Sequence, residues 1–192
     1  MTLFERALIY AAEKHCGAVR KLDGAPYILH PMEVALIASH ITTDEEVLAA
    51  AVLHDTVEDT DATLDELREL FGERTAALVA AETENKRPGV PKSESWLARK
   101  EESLEELSRS DDMNVKLLWL ADKLSNMRRL RASMDRTGAG VWRMFNQPDP
   151  EKHAWYYRTI VGLLSEYKDT EEWKELNGLV ESVFGEAASH EI

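Results

Sequence analysis

The sequence predicts an all-α fold, arranged as one bundle of about eight to ten helices. Apolar residues recur at helical spacing almost throughout the chain, and no convincing alternating run of β-branched residues interrupts them. The chain has 192 residues, of which 44% are hydrophobic and 31% charged, so it can bury a sizeable core beneath a well-hydrated surface. Because no internal repeat or linker-like stretch divides it, we expect a single domain over residues 1–192.

Capping signals place the first helices. Thr2 and Glu5 form a capping box that opens a helix to about Lys14, and Pro31 suits the first position of a helix to about Ser39. The next helix starts after Asp44 and carries Val47, Leu48, Ala51 and Val52 on one face. A second capping box, at Thr63 and Glu66, opens a helix that Gly72 ends.

The rest of the chain is predicted as five helices and two loops. The helices lie near 73–83, 94–109, 114–132, 150–167 and 171–184. The two loops are Lys86 to Ser95, with two prolines and one glycine, and Thr137 to Pro150, with two prolines and two glycines, and these residues break helical periodicity. The second loop is long enough to suggest a function, and the segment from Trp142 to Trp155 is expected to close a pocket. We expect the helices of 150–184 to pack on a core of residues 3–131.

Charge and cysteine content limit the possible partners. The net charge of −13 argues against a nucleic-acid polymer, but a small phosphorylated ligand needs only a local basic pocket. Between Asn114 and Arg143 seven cations stand against two anions, which is typical either of such a pocket or of a solvated helix face. The single Cys16, the absence of a signal-like start and a longest apolar run of only Val47 to Leu53 predict a soluble, cytoplasmic protein without a membrane partner.

The segment His54 to Asp59 (HDTVED) gathers ionisable side chains at the end of an apolar helix. His54 and Glu58 are four residues apart, as are Asp55 and Asp59, so each pair shares a face if the turn continues. The negative end of the helix dipole adds to the three carboxylates, and this favours a bound cation. The alternative is a solvated acidic helix end.

Two further residues strengthen the case for a metal. His30 precedes Pro31 at a predicted helix start, and Asp122 lies inside an apolar helical run on the face of Leu118 and Asn126. A buried carboxylate needs a partner or a metal. Each residue alone is more often structural, but His30, His54, Asp55 and Asp122 together make a mixed nitrogen and oxygen site that suits a divalent first-row metal.

These residues belong to three strings, RKLDGAPYILHP, LHDTVEDTDATLDELRELFG and LADKLSNMR. In this order and spacing they resemble the HD-type hydrolase domain of the RelA/SpoT family, over roughly Leu3 to Arg131. Since no synthetase-sized region follows, the chain is most similar to the stand-alone small alarmone hydrolases of that family.

The resemblance implies a role for each matching position. It implies that His30, His54, Asp55 and Asp122 bind the metal, usually manganese, and that Glu58 and Asp59 orient and deprotonate the attacking water. Arg20 and Lys21 match residues that contact the base and phosphates, and Asn126 matches one near the ribose and phosphate. Stand-alone members can direct a lysine at the phosphates near Lys86, although a surface lysine is the alternative there. The implied reaction releases pyrophosphate from the 3′ position of (p)ppGpp and returns GDP or GTP.

Two other functions stay open at this point. The same site could serve a nucleotide phosphatase that removes one phosphate, for example from NADPH. A catalytically silent ligand-sensing domain would have lost a metal ligand or the Glu58–Asp59 pair, and this sequence retains them all.

Overall fold

A computed structural model describes residues 1–84, 87 and 89–185 and confirms the all-α prediction. The α-helices run in chain order as α1 (Leu3–Lys14), α2 (Leu29–Ser39), α3 (Glu45–Leu53), α4 (Thr56–Asp59), α5 (Leu64–Phe71), α6 (Glu73–Ala80), α7 (Trp96–Arg109), α8 (Met113–Thr137), α9 (Pro150–Leu163) and α10 (Glu171–Phe184). Short 3₁₀ segments cover Gly138–Met144 and Ser165–Tyr167. The described residues form no strand ladder, and Val19 and Pro26 make an isolated antiparallel bridge.

The helix starts follow their caps closely. Thr2 and Glu5 form the predicted reciprocal capping box, and the side chains of Asp44 and Thr63 accept from the backbone amides of Glu46 and Glu66. One start is corrected: α2 begins at Leu29, two residues before Pro31. Proline is tolerated there because the first turn of a helix has amides without an intrahelical acceptor.

Several helix ends differ from the prediction. The long helix α8 continues to Thr137 rather than to about 132, and Gly138, at a φ of 57°, follows it. The expected loop from Thr137 to Pro150 therefore begins with a 3₁₀ segment. Helices α6 and α9 end three or four residues early, at Ala80 and Leu163, and α7 starts at Trp96.

Helices α3 and α8 form the centre of the bundle. Helix α3 packs against α1, α2 and α6, and six of its nine residues are buried, so it is apolar on almost every side. Helix α8 packs against α2 and α10. Every described helix except the four-residue α4 adds buried apolar side chains to one core cluster. The carboxyl end of α3, the start of α2 and the middle of α8 meet at one place.

None of the described helices is both long and apolar enough to cross a membrane.

Candidate metal centre and adjoining cavities

Two histidines and two aspartates from α2, α8 and the α3–α4 junction converge. The Nε2 atom of His30 lies 3.1 Å from Oδ1 of Asp122 and 3.5 Å from Oδ2 of Asp55. The Nε2 atom of His54 lies 3.2 Å from the same Asp55 oxygen and 3.7 Å from the same Asp122 oxygen. Potential ligand atoms of His30, His54 and Asp122 all lie within 4.8 Å of one another, with Asp55 beside this set.

Hydrogen bonds from Nδ1, on the opposite side of each ring, point both Nε2 atoms into the cluster. His30 Nδ1 is 2.9 Å from the Ser125 hydroxyl, which itself donates to Glu33 at 2.8 Å. The serine proton is thereby used, so His30 Nδ1 carries the proton that it shares with Ser125. His54 Nδ1 donates to the carbonyl oxygen of Ala51 at 2.9 Å. Both Nε2 atoms then face the cluster, which is the orientation that ligating histidines usually have.

The charges around the cluster fit a divalent cation. Burial lowers the pKa of His30, whereas at His54 burial is outweighed by Asp55 and Asp122, which raise its pKa well above the ordinary value. Burial acts to raise the pKa of both aspartates, but cationic neighbours lower it: His54 first for Asp55, and Lys123 first for Asp122. The pair of ionised carboxylates thus draws positive charge into the site. His54 Nε2 is buried and has no hydrogen-bond partner in the described part of the chain, which is what a metal-binding nitrogen requires.

Glu58 and Asp59 lie on the short helix α4 directly after this cluster. Both line the same cavity of about 170 Å³ as the four converging residues. Glu58 Oε2 accepts from the backbone amide of Glu84 at 3.3 Å. The hydroxyl of Tyr27 lies 2.6 Å from Asp55 Oδ2 and 2.9 Å from Asp59 Oδ2. Burial and then the two carboxylates raise the pKa of Tyr27 far above its usual range, so it stays a neutral donor between them.

Besides Tyr27, five residues line the 170 Å³ cavity although the motif analysis did not select them: Glu82, Glu84, Lys100, Trp119 and Lys123. Helical spacing could have identified Trp119, which lies three residues before Asp122, and then Lys123, which lies four residues after Trp119. The sequence carried no comparable signal for the other residues, which come from the α6–α7 connection and α7.

Glu82 and Glu84 both line this cavity, but they differ in their hydrogen-bond partners and in the direction of their pKa shifts. Glu84 Oε2 accepts from Arg99 at 2.6 Å and Oε1 accepts from Lys100; despite the cost of burial, Lys100 leads the cations that lower its pKa. Both carboxylate oxygens of Glu82 lack a hydrogen-bond partner among the described residues. Burial, followed by the charge of Asp122, raises the pKa of Glu82 to about 8.

A larger cavity, of about 460 Å³, adjoins the first and shares Arg20, Tyr27, Asp59 and Asn126 with it. Arg20 Nη2 donates to Asn126 Oδ1 at 2.8 Å, and Asn126 Nδ2 donates to Asp122 Oδ1 at 2.6 Å. Two of the predicted substrate contacts, Arg20 and Asn126, are therefore hydrogen-bonded to each other, and Asn126 links them to Asp122 of the cluster. Lys21 lines only the larger of these two cavities. Lys86, the remaining predicted contact, lies outside the described residues.

The segment from Trp142 to Trp155 contributes to the larger cavity through Phe145 and His153. Trp142 is buried behind them, with its ring centroid 5.8 Å from that of Phe145 and 5.3 Å from that of His153. Trp155 is 38% exposed and lines neither cavity. Trp142 therefore belongs to the core, and neither Trp142 nor Trp155 lines either of the two cavities.

Comparison with known proteins agrees with this architecture. A family model described as "HD domain" matches residues 7–146. The chain is 43% identical over 126 residues to guanosine-3′,5′-bis(diphosphate) 3′-pyrophosphohydrolase of Aquifex aeolicus, covering 66% of this chain but 17% of that protein. It is 45% identical over 124 residues to the enzyme of the same name, MESH1, from Danio rerio, covering 63% of this chain and 65% of that protein.

A solved structure extends the likeness to nearly the whole chain. It is a metazoan ortholog of SpoT, described as hydrolysing ppGpp, and it superposes with a TM-score of 0.77 at 32% identity. The match covers 95% of this chain and 96% of that one. The chain therefore belongs to the HD domain family, among its SpoT-related hydrolase domains.

Proposed function

We propose that this protein is a divalent-metal-dependent phosphohydrolase that removes the 3′-pyrophosphate of guanosine 3′,5′-bis(diphosphate) and its triphosphate analogue. The observation that carries the proposal is the convergence of His30, His54 and Asp122, with Asp55 beside them, at the junction of two cavities. The names of the Aquifex and Danio relatives support the substrate. The chain spans only 17% of the Aquifex protein, so the activity of that whole protein is not carried over unchanged.

His30, His54, Asp55 and Asp122 would hold the metal, since a mixed imidazole and carboxylate set suits a divalent first-row ion. We propose that the ion is manganese, as the resemblance to the RelA/SpoT family implies. When bound, a divalent cation acidifies water and offsets the charge that builds on a departing phosphate group. We further propose that residues 1–192 work as one domain and that the protein acts in the cytoplasm, as its single cysteine suggests.

The other residues of the site have separate proposed roles in water activation and in substrate binding. Glu58, held by the Glu84 amide, would accept the proton of the attacking water, while Tyr27 keeps Asp59 oriented beside it. The oxygen of that water joins the phosphorus bonded to the ribose 3′ oxygen, and the bond between this phosphorus and the 3′ oxygen breaks. The 3′ oxygen takes up a proton to become a hydroxyl, and pyrophosphate leaves whole. Arg20 and Asn126, linked to each other and to Asp122, would position the nucleotide across both cavities. Lys21 and Lys86 remain proposed phosphate contacts.

A substrate panel tests this proposal. Manganese-loaded protein would be incubated with ppGpp, pppGpp, NADPH and ATP, and the release of pyrophosphate and of orthophosphate measured separately. We expect pyrophosphate from the first two and little product from the others. Release of orthophosphate from NADPH, with ppGpp left intact, would instead support the single-phosphate alternative. No turnover of any compound, with metal bound, would favour a silent sensing domain.

A further inference from the structure

The face of α8 that carries Asp122 also carries a tryptophan with no role in the reaction described above. Trp119, Asp122, Lys123 and Asn126 follow at intervals that keep them on one side of the helix, and all four line the 170 Å³ cavity. Lys123 Nζ lies 2.5 Å from Asp122 Oδ2 and 4.5 Å from the centre of the Trp119 ring. Trp119 is thereby fixed one helical turn from a proposed metal ligand.

The indole nitrogen of Trp119 is buried and unsatisfied. The residue is 3% exposed, and its Nε1 has no hydrogen-bond acceptor within the described ranges. Another indole of this protein behaves in the ordinary way, since Trp173 Nε1 donates to the carbonyl oxygen of Val161 at 3.1 Å. A buried donor without an acceptor costs free energy, so such a group in a polar cavity points to an acceptor that arrives with a ligand.

The chemistry of the group limits what that acceptor can be. An indole N–H can only donate, so the ligand must present an oxygen with a free lone pair. Lys123, above the ring, adds positive charge on the same side of the cavity, which favours an anionic oxygen. Glu82 lines the same cavity but does not meet this need, because both of its carboxylate oxygens lack a hydrogen-bond partner among the described residues.

We propose that Trp119 is a phosphate-binding residue whose Nε1–H donates to a non-bridging oxygen of the pyrophosphate group held at the metal centre. The inference rests on the proposed function, in that it names one contact of the group to be cleaved. Because the donor is part of a rigid helix that also carries Asp122, its distance from the metal centre is set by the fold.

Substitution of Trp119→Phe tests the contact, because it removes the N–H and retains a ring beneath Lys123. Affinity for inorganic pyrophosphate would be measured by calorimetry on manganese-loaded protein. A hydrogen bond to a charged oxygen predicts a loss of about tenfold or more in pyrophosphate affinity. Manganese affinity should not change, and the melting temperature should stay level or rise, since an unsatisfied buried donor has been removed.

Trp173→Phe is the matched control. It also removes one indole N–H, but that group already has an acceptor in the protein, on α10 away from both cavities. We expect this variant to melt at a lower temperature and to bind pyrophosphate as the wild type does. Equal pyrophosphate affinity in Trp119→Phe and wild type, no binding by either, or a parallel loss of manganese would each overturn the inference. Wild-type protein that binds pyrophosphate but does not cleave ppGpp would refute the proposed substrate alone.

Discussion

At the scale of single residues, hydrogen bonds to the surrounding protein set the orientation of the site's side chains. The two histidines each use Nδ1 in a hydrogen bond, to Ser125 and to Ala51, and so present Nε2 to the same small volume. Tyr27 connects a proposed metal ligand, Asp55, with a proposed catalytic carboxylate, Asp59. The proposed metal-binding and water-activating groups are therefore linked through one hydroxyl.

Replacement of His54 tests the metal centre. His54 Nε2 is buried without a hydrogen-bond partner in the described structure, so His54→Ala should remove most bound manganese while leaving a folded helical protein. Elemental analysis after gel filtration measures the metal, and circular dichroism measures helix content. His40→Ala, at an exposed histidine paired with Glu172, serves as the control and should retain the metal. Stoichiometric manganese in both variants would show that the ligand assignment is wrong.

Replacement of Glu58 separates binding from chemistry. Glu58→Gln keeps the size of the side chain and an oxygen for the Glu84 amide but removes its capacity as a base. We expect manganese content and substrate affinity to be retained, with kcat reduced by about a hundredfold or more. Single-turnover kinetics with manganese present would measure the chemical step. A kcat near that of the wild type would remove Glu58 from the catalytic role.

At the scale of helices, the sequence predicted which segments are helical better than where they end. The α8 prediction stopped near 132, yet Ser133 is buried and the helix continues to Thr137. The metal-ligand candidates were predictable because a carboxylate in an apolar helix, or next to a histidine at a helix end, conflicts with its surroundings. Glu82 carried no such signal, since its burial results from how the α6–α7 connection folds over the cluster.

The junction of α2 and α8 gives a prediction about how these helices hold the metal. Ser125 on α8 orients His30 on α2 and is itself held by Glu33, one turn further along α2. Loss of such an outer partner typically weakens metal binding about 10- to 100-fold. Ser125→Ala should therefore lower manganese affinity in calorimetry by that amount without unfolding the bundle. Ser133→Ala, at another buried serine of α8, should leave the affinity unchanged; equal affinities in all three proteins would contradict the role of Ser125.

At the scale of the whole molecule, most cations of the basic stretch between Asn114 and Arg143 form ion pairs with carboxylates of the protein. The seven cations between Asn114 and Arg143 suggested a basic pocket, but Arg128 pairs with Glu175 and Glu33, and Arg129 pairs with Asp23. Lys123 is the member of that group that lines the metal cavity. The sequence could not reveal this, because the acidic partners come from α2, α10 and the α1–α2 connection. Three of these cations, Lys116, Arg128 and Arg129, pair with carboxylates of distant segments. Apart from Lys123, the cations that line the two cavities come from elsewhere in the chain and include Arg20 and Lys100.

The same burial of charge makes the stability of the metal-free protein depend on pH through Glu82. Its folded pKa of about 8 lies above the ordinary value of 4.5, so between these pH values the unfolded chain releases a proton that the folded protein retains. Stability should therefore fall as pH rises through this window, with the penalty fully present above pH 8. Glu82→Gln removes the titration. In chelator-treated protein it should exceed the wild type in free energy of unfolding by less than about 1 kcal/mol at pH 5 and by as much as about 4 kcal/mol at pH 8.

Urea denaturation at the two pH values measures this difference in the free energy of unfolding. Glu84→Gln is the control, because here the same change should destabilise the protein. Glu84 is ionised and paired with Arg99 and Lys100, so its neutral variant should lose about 3–5 kcal/mol at pH 8. Added manganese should narrow the gap between wild type and Glu82→Gln, because a nearby cation favours the ionised carboxylate. If Glu82→Gln were less stable than the wild type at pH 8 without metal, Glu82 would have to be an ionised, satisfied carboxylate. Its place as an unpaired acid beside the metal centre would then be wrong.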